Sequence, residues 1–330
     1  MDIILNFLFI AIFVLVANLI TRSGDSSLRR LFDGFLIAVS LLLFLGGLFF
    51  VLVPEEQLMG MTAVTGEPIF PVTVHFLALG VGLQLMALWG IVFSLRSTRA
   101  HLSHYLPVAP DSAVHTLALV GVGWLAGGTL IQLTQSSVEE IVEAIGVLTT
   151  PLIVAQGLAF ALLGVLGVGL FTRRNLAETA ERLGLKSVTR WQLLEGVGWV
   201  LILVVLQALL GGLWLLLDPA QAEEVGNLNL ELQSGLNTVW KWLILAIATG
   251  VGEEILFRGA LQPVLGWVPT AVLFALVHIQ YGLFTPATLA VLLVGLALGL
   301  IRRRHNTSLA IFVHAGYNFV LGMTALVAGG

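Results

Sequence analysis

Long apolar runs divided by short charged strips decide what this chain can fold into. Runs such as Leu31 to Val53 and Gly196 to Leu217 are too continuous in Leu, Val and Phe to be one apolar face of a soluble helix. About 20 apolar residues rising 1.5 Å each cross about 30 Å of hydrocarbon. A helix satisfies its own backbone there, which an isolated strand cannot do. Composition agrees: of 330 residues, 58% are hydrophobic and 10% charged, where soluble domains carry about 25% charged residues. The expected fold class is all-α, a polytopic transmembrane helix bundle.

About ten spans are expected: Ile3 to Ile20, Leu31 to Val53, Ile69 to Leu95, Val114 to Ile131, Ile145 to Phe171, Gly196 to Leu217, Val239 to Phe257, Val268 to Leu283, Ala287 to Ile301 and Ser308 to Val327. The first lacks a basic n-region and a small-residue cleavage site, so it is expected to remain as a span. The eighth and ninth are short and are expected to be tilted or shielded by protein. If connections alternate sides, 13 of the 15 basic residues fall on one side, from Arg22 through Arg96, Arg173 and Arg190 to Arg304. That side is expected to be cytoplasmic and both termini outside. The opposite connections hold Glu55, Glu56, Glu67, Glu139, Glu140, Glu143, Asp218, Glu223, Glu224 and Glu231.

Residues 1–195 are expected to hold accessory spans and a cytoplasmic amphipathic linker, Arg173 to Leu194, that lies on the membrane surface or holds bundle halves apart. Residues 196–330 are expected to hold the chemistry. With no Cys, disulfides, thiolate zinc sites and a cysteine nucleophile are excluded. A net charge of −4 offers no basic surface for nucleic acid. Membrane lipids are the expected surroundings, and the sequence carries no mark of an oligomeric state.

Ionisable groups are costly in hydrocarbon and tend to have a function there. Glu253 and Glu254 stand near the end of the seventh run. Glu254 and Arg258 are one turn apart and can pair, while Glu253 points about 100° away around the helix. His278 lies in the eighth run, and His314 and Asn318 are spaced i,i+4 in the tenth. Counted from the cytoplasmic ends, Glu253 lies about 7 to 8 Å deep, His278 about 15 Å and His314 about 9 Å. Together they supply a base, an acid and directional donors, an inventory that suffices for hydrolysis. Glu253, oriented with His278, would take a proton from an attacking water. His314 and Asn318 would point donors at the developing oxyanion, and Glu254 with Arg258 would support the site. A zinc ion on Glu253, His278 and His314 is the competing reading, although HExxH is absent. No GxSxG elbow supports a serine mechanism.

The stretches "EEILFR" from Glu253, "FALVH" from Phe274 and "HAGYN" from His314 resemble the EExxxR, FxxxH and HxxxN motifs of the CPBP family, the type II CAAX prenyl and bacteriocin-processing (Abi) intramembrane proteases. The resemblance covers about residues 241–327. It implies a C-terminal four-helix catalytic core and an endopeptidase acting on a membrane-associated or prenylated CAAX-like substrate. It also implies Glu253 and His278 as activators of water, His314 and Asn318 at the oxyanion, and Glu254 and Arg258 in support. Cofactors are not favoured, with Zn2+ as the alternative.

Two further classes compete: a proton- or ion-coupled transporter using the same residues as a relay, and a noncatalytic scaffold or immunity protein. Low Lys with abundant Gly and Leu points to a bacterial plasma membrane, with the active site facing the cytoplasm.

Overall fold

The computed structural model describes residues 2–63, 66, 67, 69, 70 and 74–328, and the side chains of 7–327 within that set. Residues 71–73 of the expected third span lie outside the described residues. The helices run α1 (Asp2–Ser23), α2 (Ser26–Leu52), α3 (Glu55–Met59), α4 (Phe76–Ser94), α5 (Arg96–Leu102), α6 (Ala113–Gln135), α7 (Val138–Ile145) and α8 (Thr150–Gly167). They continue with α9 (Leu176–Leu183), α10 (Arg190–Leu217), α11 (Pro219–Gln233) and α12 (Val239–Glu253), which passes directly into a π-helix, Glu254–Leu261. After it come α13 (Gln262–Leu265), α14 (Trp267–Leu276), a 3-10 turn (Ile279–Tyr281), α15 (Pro286–Arg304) and α16 (Thr307–Ala328).

The fold is all-helical, with no strand among the described residues. Each of the ten expected spans coincides with a helix, and among the described residues 7 helices are long and apolar enough to cross a membrane: α2, α4, α6, α8, α10, α15 and α16. Outward-facing leucines such as Leu158, Leu209 and Leu216 remain exposed, as helices facing lipid require. Two of the ten differ from full-length spans. The helix α14 is short, and α12 has 15 residues before the π-helix takes over. In contrast to the short ninth run, α15 continues through Arg302, Arg303 and Arg304 to 19 residues. Leu, Gly and Arg at its end do not interrupt a helix.

The chain divides into two compact units, Gly24–Glu140 and, separately, Met1–Ser23 with Ile141–Gly330. A division at residue 195 is therefore not the one that packing makes. The reason is local: α8 packs tightly on α12, where a Cβ on Gly252 would meet the Gly157 carbonyl oxygen at 2.5 Å. In addition, Asn18 of α1 donates to the Leu166 carbonyl at 2.9 Å. Within this unit a buried apolar cluster of Val200, Leu203, Val294, Leu298, Ile301, Leu309 and Val313 joins α10, α15 and α16. The linker is not a free surface helix. Asn175 and Glu178 form a capping box that starts α9, and Gly184 ends it at φ +72°, a conformation glycine adopts without strain. Leu183 is fully buried. The Gly184 carbonyl accepts from Thr307 N at 2.9 Å, and Lys186 N donates to Ser308 Oγ at 3.0 Å, which fastens the linker to the start of α16.

In the Gly24–Glu140 unit, two tryptophans lock α4 to α6: Trp89 donates to the Leu119 carbonyl at 2.8 Å and Trp124 to the Met86 carbonyl at 3.1 Å. The same unit encloses a charged knot. Arg99, fully buried, donates to Asp33 at 2.8 Å and to the Pro110 and Phe93 carbonyls at 3.0 Å each. Asp111, by contrast, is exposed and paired with Arg96 at 2.9 Å and Arg29 at 3.1 Å. The hydrogen bond from Arg96 holds the Asp111 carboxyl below its ordinary range.

These two aspartates should behave differently. Asp33→Asn leaves a buried guanidinium without its counter-charge and should lower unfolding free energy by about 3 to 5 kcal/mol, whereas Asp111→Asn should cost under about 1 kcal/mol. Because folding depresses its pKa, the Asp111 contribution is present above the unfolded value and lost as pH falls through the folded one. Denaturant titration in detergent at neutral pH and near pH 3 measures both effects, and equal costs at neutral pH would contradict the assignment.

Candidate active site

The seventh and tenth runs supply the two sides of the site. Thr238 caps α12, its side chain accepting from Lys241 N, and Lys241 turns back to the Gly235 carbonyl at 2.9 Å, so the charged end of this helix stays away from its middle. At the other end the helix changes to i→i+5 hydrogen bonding from Glu254 onward. Such π segments re-aim side chains within an otherwise regular helix.

Glu254 and Arg258, both fully inaccessible, form the expected pair, with Nε donating to Oε2 at 3.2 Å. The other Glu254 oxygen is taken as well: His314 Nδ1 lies 3.0 Å from Oε1. Since a carboxylate only accepts, Nδ1 carries the proton in this contact, and α12's continuation is tied to α16 through one side chain. Glu253 is also buried, yet its Oε2 has no hydrogen-bonding partner among the described residues. It lies within electrostatic range of Arg258, Tyr281 and His314.

His278 stands just beyond α14, with Nδ1 2.6 Å from the Phe274 carbonyl. A carbonyl also only accepts, so Nδ1 is the donor and a neutral ring keeps its lone pair on Nε2. Asn318 donates from Nδ2 to Thr249 Oγ1 at 3.0 Å, while Thr249 itself donates to the Leu245 carbonyl at 2.8 Å. The Phe274 ring gathers the remaining parts: Arg258 sits 5.0 Å over it, and the His278 and His314 rings approach its centroid at 4.7 and 5.9 Å. Tyr281 stacks parallel to His278 at 6.4 Å.

The structure thus joins Glu254, Arg258 and His314 by direct bonds, and His278 to them through Phe274. It does not bond His278 to Glu253, and it gives Asn318 to Thr249. Three contributors were missed in reading the sequence for chemistry: Phe274 as the shared ring, Thr249 as the anchor of Asn318, and Tyr281. Their signals were present as the aromatic in "FALVH", the single hydroxyl in "LAIATG" four residues before Glu253, and the phenol three residues after His278. Among the described residues, no three His, Asp or Glu side chains gather closely enough to hold a metal ion. Glu253, His278 and His314 therefore do not form a ready coordination shell, although each histidine, engaged at Nδ1, keeps Nε2 free of protein partners.

Compared with known families, residues 235–320 match the family model for type II CAAX prenyl endopeptidases, Rce1-like. This segment is similar to that family. It contains Glu253, Glu254, Arg258, His278, His314 and Asn318, so the resemblance carried by the three motifs is met by a match over the whole region between them. The matched segment lies in an integral membrane protein, and the match supports a CAAX-type intramembrane protease in general. No curated protein and no solved structure matches the chain.

The two adjacent glutamates should separate in stability. Glu254→Gln removes the counter-charge of a buried arginine and should cost about 3 to 5 kcal/mol. Glu253→Gln replaces a buried carboxylate that lacks a partner on Oε2, so its melting temperature in detergent should equal or exceed that of the parent protein. A Glu253→Gln protein that melts far below Glu254→Gln would reverse the assignment.

Proposed function

We propose that this protein is an intramembrane endopeptidase in which Glu253 activates water against a peptide carbonyl of a membrane-associated or prenylated CAAX-like substrate. The observation that carries this reading is the buried, unpartnered Glu253 oxygen beside a neighbour whose two oxygens are both engaged. A general base needs a free lone pair, and only one of the two glutamates has it. His278, its tautomer fixed by the Phe274 carbonyl, offers Nε2 as a second acceptor to orient the same water.

In the reaction, the water oxygen bonds to the carbonyl carbon as Glu253 takes a water proton, and the carbonyl electrons move to oxygen. His314, held at Nδ1 by Glu254, turns Nε2 toward that oxygen and donates to it as an imidazolium. The second N–H of Asn318, whose amide is steadied by Thr249, is the other donor. When the tetrahedral intermediate collapses, the C–N bond breaks and Glu253 returns its proton to the leaving amine, releasing a carboxylate and an amine. Glu254 and Arg258 hold His314 and the π-helix in register and do not touch substrate. Among the described residues Glu253, His278 and His314 are not close enough together to coordinate one ion directly, and in this reading Glu253 alone takes the water proton. The arginine-rich connections support a site facing the cytoplasm, both termini outside and, with the residue composition, a bacterial plasma membrane.

Protein reconstituted in lipid vesicles should cleave a prenylated CAAX peptide, with kcat falling about 10²- to 10⁴-fold in Glu253→Gln and about 10²- to 10³-fold in Asn318→Ala, both variants remaining folded. Activity should persist after exhaustive chelation. Undiminished turnover in Glu253→Gln would defeat the base assignment, and activity abolished by chelation and restored by one equivalent of zinc would replace it with metal catalysis.

A further inference from the structure

Beside the π-helix, and apart from the site just described, lies an open surface pocket of about 510 Å³ lined by Arg173, Arg174, Glu178, Glu181 and Arg182. Arg302, from the last turn of α15, stands behind this lining, packed against Gly184 and close enough to act electrostatically on Arg182. Among the described residues none of these four arginines has a carboxylate within ion-pair distance, although the remaining charged knots of this protein are closely paired. Glu178, also in the lining, spends Oε2 on Asn175 N at 2.9 Å in the capping box, and Glu181 is exposed. Burial first, then the positive charges of Arg174, Arg302 and Arg173, press Arg182 below the ordinary arginine range. A guanidinium keeps its proton all the same, so the repulsion stays in place until an anion relieves it.

Three of the arginines are tied to the protein by one hydrogen bond each. Arg173 Nε donates to Asn18 Oδ1 at 2.8 Å, Arg174 to the Val168 carbonyl, and Arg182 Nη1 to the Gly259 carbonyl at 3.1 Å. Each thereby spends one donor on the protein and keeps others for a ligand, and forked guanidiniums suit the oxygens of a phosphate. Two apolar side chains flank the pocket in sequence and face outward: Phe171, 79% exposed at φ +60°, and Leu176, 68% exposed. In a membrane protein such groups lie against acyl chains, which puts a phosphate at this height on a lipid.

We propose that this pocket is a phosphate-binding site whose occupant is the headgroup of an anionic lipid, and that binding steadies the π-helix through Arg182 and Gly259. Gly259 follows Arg258 directly, so the contact reaches the element that carries Glu254. The binding half stands without the proteolytic reading, and its test needs no substrate.

Full-length protein in neutral detergent is titrated with dioctanoyl-phosphatidylglycerol, dioctanoyl-phosphatidylcholine and inorganic phosphate, following equilibrium binding and melting temperature. Phosphatidylglycerol should bind tightest and raise the melting temperature, and its affinity should fall about fivefold with each of Arg173→Gln and Arg302→Gln. Arg303→Gln, whose side chain lies 5.3 Å over Trp267 instead, should leave affinity unchanged. Should a glutamine variant fail to fold, the lysine variant at the same position, which should weaken binding less than loss of the charge, and a salt titration of the parent protein, which should weaken it steeply, carry the test. Equal affinity for the two lipids, or affinity untouched by every arginine change, would overturn the site. Inorganic phosphate binding as tightly as phosphatidylglycerol would overturn the lipid occupant. Cleavage in vesicles with and without phosphatidylglycerol then reads the steadying effect separately, so a protein that binds the lipid yet cleaves nothing fails as a protease and not as a lipid site.

Discussion

The arrangement depends on one buried carboxylate that serves two partners. Glu254 accepts from Arg258 through one oxygen and from His314 through the other. This single side chain fixes the π-helix against α16. Buried ion pairs often contribute little net stability, since desolvation offsets attraction, but losing one member is costly. The value of this cluster is therefore geometric: it dictates where the next residue along the helix, Glu253, can point, and it sets which nitrogen of His314 remains for other work.

Phe274 extends that constraint to a third element. Its ring is shared by Arg258, His278 and His314, and its carbonyl holds the His278 ring. One residue of α14 therefore aligns a histidine from its own end with the ion cluster of two other helices. A cation over an aromatic face is favoured more strongly where water is excluded, and here the guanidinium is fully buried. Phe274 thus acts as part of the electrostatics and not only as packing.

Much of this was legible in the sequence, for reasons that can be named. Spans follow from apolar length, which is a local property, so all ten runs coincide with helices. The pairing of Glu254 with Arg258 follows from a spacing of four. What could not be read depends on contacts between distant segments. The bond from His314 Nδ1 to Glu254 is one such contact, made where the π segment and α16 meet. Asn318 meets Thr249 because α12 and α16 pack closely, with an added Cβ on Gly250 only 3.1 Å from Ala315. The amphipathic α9 reads equally well as a surface helix, but Leu183 and the Gly259 contact of Arg182 dock it on the protein. The two-unit division, which unites α1 and α8 with the C-terminal helices, rests on glycine contacts that no periodicity reports.

The central claim is that two neighbouring glutamates hold separate jobs, one structural and one free. Double-mutant cycles on unfolding free energy, coupling His314→Phe to Glu254→Gln and, independently, to Glu253→Gln, test it most directly. The account predicts a coupling of about 1 to 3 kcal/mol between His314 and Glu254 and under about 0.5 kcal/mol between His314 and Glu253. A larger coupling to Glu253 than to Glu254 would contradict it.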